Sequence, residues 1–250
     1  MSKRNKRSFN RASQGTRSYN VNGNLKENIV DINSYRQPKK IKVDLLPKNL
    51  AQERYLDALE DQNIDIVFAT GPAGTGKTML AALQGIKQLN EGTIEKIVIT
   101  RPAISVDEQH GFLPGTLIEK MQPWVLPILD YFYQYYNKKQ VLSMIEDDII
   151  EIAPLAYMRG RTFKNCWILA DECQNSTPSQ MKMLLTRIGD GSKIVVTGDM
   201  AQHDRGYEQN GLKDILSRYK KDPRIAACHF NDGDIERHPV IERILEFYSE

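Results

Sequence analysis

Short apolar runs alternate with segments of helical spacing through most of this chain. The runs lie at residues 64–69, 96–100, 149–152, 166–170, 194–197 and 224–228. Runs of this length and composition are typical of strands that are buried on both faces of a sheet. Apolar residues recur at helical spacing at residues 48–60, 79–89, 178–188, 211–220 and 239–249. This order predicts an α/β fold in which a parallel sheet lies between helices.

Two regions depart from this alternation. Residues 1–43 are rich in Ser, Asn, Arg, Lys and Gly and show little apolar periodicity, which predicts a mostly disordered arm. We expect residues 44–250 to form a single domain, with a helical insertion at about residues 112–146. The insertion ends near an aromatic cluster at residues 131–136. These rings could stack on bases, but contiguous helical residues point in several directions and most often fill a core or a subunit interface. Of these two, we favour the interface.

The net charge of +2 hides a strong asymmetry between the arm and the rest of the chain. Residues 1–40 carry ten basic and two acidic side chains, whereas the remaining residues carry 24 basic and 30 acidic ones. A basic arm attracts nucleic acid because binding releases counterions. Many such arms only keep a protein soluble, so both interpretations of the arm stay open.

Cysteine usage and hydropathy indicate the cellular compartment. The three cysteines have neither disulfide spacing nor the C-x-x-C pattern of a zinc site, which fits a reducing cytoplasm. No run approaches the ~18 apolar residues of a membrane span, and the polar N-terminal segment does not resemble a secretory signal. We therefore expect a soluble, cytoplasmic protein that does not associate with membranes.

Residues 71–78 read G-P-A-G-T-G-K-T and lie between a predicted strand and a predicted helix. In this context the glycines let backbone N–H groups point at phosphate oxygens, and the helix N-terminus adds partial positive charge. Lys77 would reach the β- and γ-phosphates of ATP, and Thr78 would bind Mg²⁺. A glycine-rich turn that binds nothing is the alternative, and the flanking elements disfavour it. The expected phosphate-binding residues are Gly71, Pro72, Ala73, Gly74, Thr75, Gly76, Lys77, Thr78 and Met79.

Two further strands end in polar residues suited to phosphoryl transfer. The strand at residues 166–170 is followed by Asp171, which would bind Mg²⁺, and by Glu172, which would polarise the attacking water. The strand at residues 194–197 is followed by Gly198, Asp199 and, shortly after, Gln202. Ligands bind at the carboxyl ends of parallel strands, so Asp199 and Gln202 are placed to sense the γ-phosphate or its loss. Taken alone, this last pattern also fits an ordinary turn.

In combination, these residues resemble the PhoH family of P-loop ATPases, whose core is RecA-like and related to superfamily 1 helicases. The resemblance covers roughly residues 45–250. Cys173 stands where the family usually has alanine, which leaves the carboxylate pair intact. The motifs that carry the resemblance lie at residues 71–78, 100–102, 111–115, 156–163, 171–175, 198–202 and 237–240.

The resemblance implies a Mg²⁺-dependent ATPase that acts on single-stranded RNA or DNA, as a helicase or translocase. It implies that Gln52 faces adenine, although an exposed helical glutamine is the alternative. A chain of this length has room for one RecA-like lobe, so the resemblance implies a homo-oligomeric ring, a hexamer being favoured. Arg237 would then be the arginine finger supplied in trans, or would stabilise the start of the last helix. Arg101, Arg159 and Arg161 would line a nucleic-acid path or the nucleotide cleft, with surface salt bridges as their alternative.

Three rival functions are compatible with the same phosphate-binding motifs. A P-loop kinase for a small metabolite is disfavoured, because Glu172 beside Asp171 suits water as the phosphoryl acceptor. An ATP-regulated nucleic-acid-binding scaffold and a protein-remodelling ring without unwinding both stay open. The sequence does not distinguish a bacterial from a bacteriophage origin. For the resembled core, we expect the strand ending at Thr197 to lie between the phosphate-loop strand and the strand ending at Ala170.

Overall fold

Helices and strands alternate in a computed structural model that describes residues 42–102, 117–202, 209–237 and 239–247. Nearly all of the predicted arm and the motif at residues 111–115 lie outside the described residues. The helices are α1 (Leu50–Glu60), α2 (Lys77–Glu91), α3 (Leu117–Tyr133), α4 (Lys138–Glu146), α5 (Pro178–Leu185), α6 (Gly211–Arg218) and α7 (Pro239–Phe247). The strands are β1 (Ile66–Thr70), β2 (Lys96–Thr100), β3 (Ile150–Ile152), β4 (Cys166–Ala170), β5 (Lys193–Gly198) and β6 (Ile225–His229). Within the described part of the chain, no helix is long and apolar enough to cross a membrane.

The six strands form one parallel sheet in the order β3-β2-β4-β5-β1-β6. The predicted position of β5, between β1 and β4, is confirmed. Neighbouring strands lie ~4.8 Å apart, so the carboxyl ends of β1, β5 and β4 fall within about 10 Å of one another. The sheet therefore brings the three predicted motifs to one short stretch of a single edge.

Both faces of the sheet are buried, as the apolar strands predicted. Along β1, Val67 and Ala69 pack into one core cluster and Phe68 into the other, because side chains alternate between the faces of a strand. The first cluster is completed by α1, α2, α3 and α4, and the second by α5 and α6. The prediction of an α/β fold with helices on both faces of a parallel sheet is confirmed.

The aromatic cluster at residues 131–136 packs largely inside its own chain. Phe132 is fully buried and Tyr136 is 5% exposed, and both belong to the first core cluster. The expectation of a subunit interface is therefore wrong for these two rings. The cluster runs from the end of α3 into the following turn, so its side chains point in several directions and some reach the core.

Candidate active site

Residues 71–76 form the loop between β1 and α2, at the carboxyl end of β1. Gly71, Gly74 and Gly76 have φ angles of 141°, 89° and 86°, a region that glycine adopts far more readily than other residues. Gly76 is the N-cap of α2, and within the described residues no side chain caps this helix. The first N–H groups of α2 are therefore available to an anion bound in the loop.

Lys77, the first residue of α2, lies against this loop and is 8% exposed. Its Nζ donates to the carbonyl oxygens of Gly71 and Pro72, each at 2.8 Å, and to the Thr75 hydroxyl at 3.2 Å. Burial lowers the pKa of Lys77 below its ordinary value, and the nearby carboxylates partly oppose this shift. The loop thus holds a buried cation beside its free helical N–H groups.

Asp171 lies at the carboxyl end of β4 and is 7% exposed. One of its oxygens, Oδ1, accepts hydrogen bonds from the hydroxyls of Thr78 at 2.7 Å and Thr197 at 2.5 Å. A carboxylate and a hydroxyl at this separation suit Mg²⁺, which prefers oxygen ligands and completes its shell with water and phosphate oxygens. The residues present therefore fit a magnesium ion bound together with a nucleotide.

Glu172 adopts a left-handed backbone conformation with φ of 54°, which is uncommon for a residue other than glycine. Its Oε2 accepts a hydrogen bond from Gln174 Nε2, and its Oε1 lies 3.8 Å from Nη2 of Arg101. Gln174 is buried, and its Oε1 accepts the backbone N–H of Asp199 at 3.1 Å. One buried amide therefore connects the carboxylate after β4 to the loop after β5.

A cleft of about 380 Å³ opens where the ends of β1, β4 and β5 meet. Gly71, Pro72 and Thr75 belong to the loop but are not among its lining residues, and neither is Arg237. The predicted residues that line the cleft are Gln52, Ala73, Gly74, Gly76, Lys77, Thr78, Met79, Asp171, Glu172 and Gln202. Most of the residues predicted separately from the sequence thus face one cavity.

The family model described as PhoH-like protein matches residues 44–249. The chain belongs to the PhoH-like family. The resemblance predicted from the motifs is thereby confirmed, and family membership supports a nucleotide-dependent NTPase.

Several named relatives align with most of this PhoH-like chain. A PhoH-like protein of Synechocystis is 43% identical over 203 residues, which cover 81% of this chain and 61% of the relative. A PhoH-like protein of Bacillus subtilis is 43% identical over 204 residues, with 81% and 63% coverage. Protein PhoH of Escherichia coli is 39% identical over 209 residues, with 82% and 58% coverage. The chain therefore spans less than two thirds of the length of these curated relatives.

Solved structures of helicases are more distant from this chain. The UvsW helicase of bacteriophage T4 aligns with a TM-score of 0.42 and 13% identity, covering 73% of this chain and 59% of that one. The Pif1 helicase of Candida albicans aligns with a TM-score of 0.40 and 16% identity, with 82% and 44% coverage.

Gln52 and Arg237 both contact the glycine loop of this PhoH-like chain. Gln52 is 1% exposed, so the alternative of an exposed helical glutamine is wrong. Its Nε2 donates to the Thr75 carbonyl at 3.1 Å, and its Oε1 accepts the N–H of Lys48 at 2.9 Å. Arg237 donates from Nη2 to the carbonyl of Ala73 in the same chain at 2.9 Å. The adenine contact of Gln52 and the trans role of Arg237 stay predictions.

Three arginines predicted near the nucleic-acid path or the cleft have different surroundings. Arg161 forms a two-pronged ion pair with Glu151 and lies 4.5 Å from the centre of the Phe163 ring, which matches the salt-bridge alternative. Arg101 lies near Glu172 and also donates to the Trp124 carbonyl at 3.3 Å. Arg159 is exposed.

Thr197, Gln174 and Tyr131 are site residues that the sequence pattern did not single out as functional candidates. Thr197 is 1% exposed and directly precedes the predicted Gly198-Asp199 pair, which was a usable signal. Gln174 follows Glu172 by two positions, but its bridging role depends on the approach of two loops. Tyr131 lines the cleft from α3, and no local pattern indicates that α3 reaches it.

Proposed function

We propose that this chain is a Mg²⁺-dependent ATPase that couples hydrolysis to binding of single-stranded RNA or DNA, as a helicase or translocase. The observation that carries the proposal is the meeting of the Thr78 and Thr197 hydroxyls on one oxygen of Asp171, beside a glycine loop and a buried lysine. One cleft thus contains a carboxylate and a hydroxyl that can bind a metal, together with a loop that can bind phosphate.

In this proposal, the glycine loop and the N-terminus of α2 bind the phosphates of ATP. Lys77 neutralises charge on the β- and γ-phosphates, exchanging its present contacts with loop carbonyls for phosphate oxygens. Thr78 and Asp171 hold Mg²⁺. The metal, when bound, supplies charge neutralisation at the phosphate oxygens. Met79 and the loop residues from Gly71 to Gly76 complete the phosphate site.

Water activation is assigned to Glu172, and sensing of the γ-phosphate to Gln202. Glu172 lines the cleft directly after the metal-binding Asp171, so its carboxylate can polarise a water aimed at the γ-phosphate. Gln202 lines the same cleft from the loop after β5. The Gln202 N–H donates to the Asp199 carbonyl at 3.2 Å, and Gln174 bonds both the Asp199 N–H and Glu172, so a chain of hydrogen bonds connects Gln202 to Glu172.

A homo-oligomeric ring, favoured as a hexamer, is part of the same proposal. Its support within the chain is an apolar face on α7. Val240, Ile244 and Phe247 are 49%, 45% and 77% exposed and recur at helical spacing. Exposed apolar residues on one helical face are suited to packing against a neighbouring copy.

The test is steady-state ATP turnover with Mg²⁺ in the presence of no polymer, single-stranded RNA or single-stranded DNA. The Lys77→Ala protein provides the background rate. We expect one nucleic acid to raise the turnover of the wild-type protein and to leave the Lys77→Ala rate unchanged. Turnover that responds to neither polymer, or that instead rises with an unfolded protein, would reject nucleic acid as the coupled partner.

A further inference from the structure

The carbonyl oxygens of the glycine loop are all engaged in hydrogen bonds. Those of Gly71 and Pro72 accept hydrogen bonds from Lys77, and that of Gly76 accepts the N–H of Leu80. The three carbonyls between them are held by groups from outside the loop. Arg237 Nη2 donates to the Ala73 carbonyl at 2.9 Å, and the Glu236 N–H donates to the Gly74 carbonyl at 2.9 Å. Gln52 Nε2 donates to the Thr75 carbonyl at 3.1 Å.

These bonds decide where the N–H groups of the loop point. In a trans peptide the C=O and the N–H of the next residue point in opposite directions. Arg237 and Glu236 hold the carbonyls of Ala73 and Gly74, so the N–H groups of Gly74 and Thr75 point away from these two donors. Rotation of either peptide would replace an N–H donor with a carbonyl oxygen, which repels phosphate.

The Arg237 side chain lies directly across Gly74. A Cβ added at Gly74 would come within 2.5 Å of Arg237 Nε, so the absence of a side chain at this position is what lets the arginine approach. The segment that carries the arginine is itself fixed to the domain. Phe230 N–H donates to the Thr70 carbonyl at 2.8 Å, and Asn49 Nδ2 donates to the Asp234 carbonyl at 3.3 Å.

We propose that Arg237 is a positioning residue that acts in cis, orienting the phosphate-binding loop of its own subunit. The proposal rests on the proposed function, because it assigns the loop to nucleotide phosphates. It differs from the trans arginine finger predicted from the sequence. For that role the guanidinium would have to leave Ala73 and reach a neighbouring cleft.

The cis and trans roles predict different effects on ADP binding. Loop orientation is needed for every phosphate-containing ligand, including ADP, whereas a trans finger acts on the transferring γ-phosphate. We therefore expect Arg237→Ala to weaken ADP binding by about 10-fold, which corresponds to ~1.4 kcal/mol of binding free energy. Arg237→Lys should recover part of that affinity, since an ammonium can still donate to the carbonyl.

The experiment measures ADP affinity by titration calorimetry, together with kcat and KM for ATP, in wild type and both Arg237 variants. Arg218→Ala is the matched control, because it removes an exposed arginine paired with Asp214 on α6. Thermal melting confirms that each variant is folded. The expected result is a drop in ADP affinity for Arg237→Ala, a smaller drop for Arg237→Lys and no change for Arg218→Ala. Unchanged ADP affinity, whether or not kcat falls, would overturn the cis role.

A subunit-mixing test addresses the trans alternative directly. The Arg237→Ala subunit keeps Lys77, and the Lys77→Ala subunit keeps Arg237. Co-expression of the two variants with different tags allows oligomers that contain both to be purified. Under the cis role, the turnover of the mixture equals the sum of its parts. Turnover above that sum would show an arginine supplied across subunits and would overturn the proposal. A wild-type protein that binds ADP without hydrolysing ATP would reject the proposed function while leaving the ADP comparison decisive.

Discussion

Replacement of Thr197 by valine tests the contact that organises the candidate metal site. The Thr197 hydroxyl donates to Asp171 Oδ1 at 2.5 Å, and the side chain is 1% exposed. Valine has nearly the same shape, so the substitution removes a hydrogen bond without creating a large cavity. A buried hydrogen bond to a charged acceptor contributes ~1.5–3 kcal/mol, and we expect Thr197→Val to lower the free energy of unfolding by about that amount.

Thr100 provides a matched control at the end of β2. It is fully buried, and its hydroxyl has no partner within the part of the chain that the structure describes. An unpaired buried hydroxyl is unfavourable, so the same change to valine there should leave stability unchanged or raise it by about 1 kcal/mol. The two substitutions are chemically identical, and their free energies of unfolding should therefore differ by ~1.5–4 kcal/mol.

The assay is urea unfolding without nucleotide, followed by tryptophan fluorescence, to which Trp167, fully buried on β4, contributes. Thr197→Ser, which keeps the hydroxyl, should recover most of the loss. At ~2–4 °C per kcal/mol for a domain of this size, Thr197→Val should also melt several degrees below Thr100→Val. Equal stabilities for the two valine variants would refute the hydrogen-bonding pattern described for Asp171.

Three further outcomes are expected. Glu172→Gln should bind ATP with near wild-type affinity in calorimetry but hydrolyse it at least ~10²-fold more slowly, because the base is lost while the phosphate site is kept. Near wild-type turnover would place water activation elsewhere. Burial lowers the pKa of Lys193 from 10.5 to about 8, so between pH 8 and 10.5 the unfolded chain binds more protons and this lysine's contribution to stability rises with pH. The unfolding free energy of the wild type minus that of Lys193→Met should accordingly rise from about pH 8 to about pH 10. A flat or falling value would show that folding does not lower the pKa of Lys193. Burial raises the pKa of Cys173 well above its ordinary value and that of Cys228 to about 11. Iodoacetamide at about pH 7.5 should therefore label both thiols only after unfolding. Rapid labelling of the native protein would show that these thiols are accessible.

The local features of the site could be predicted because their residues are contiguous. The glycine loop, the carboxylate pair after β4 and the polar turn after β5 each follow an apolar run, and a parallel sheet places such ends at one edge. The Asp171–Thr197 contact was not predicted. It depends on the strand register in which Ala170 lies opposite Val196. That register makes the residues that follow them, Asp171 and Thr197, neighbours.

The contact between Arg237 and Ala73 could not be predicted for a related reason. The two residues are 164 positions apart, and their meeting depends on the chain returning past the loop after β6. The motif at residues 237–240 predicted a nucleotide-related role for Arg237, but not its contact with the loop of its own subunit. Likewise, burial of Phe132 and Tyr136 follows from the packing of α3 and α4 on the sheet, which no local pattern indicates.

The proposed function requires ATP hydrolysis in the cleft at the ends of β1, β4 and β5. The most direct measurement is phosphate release from ATP by purified wild-type and Lys77→Ala proteins, with Mg²⁺ and with excess chelator. We predict Mg²⁺-dependent turnover in the wild type and none above background in the variant. Equal phosphate release by both proteins, or no release by the wild type under any of these conditions, would contradict this claim.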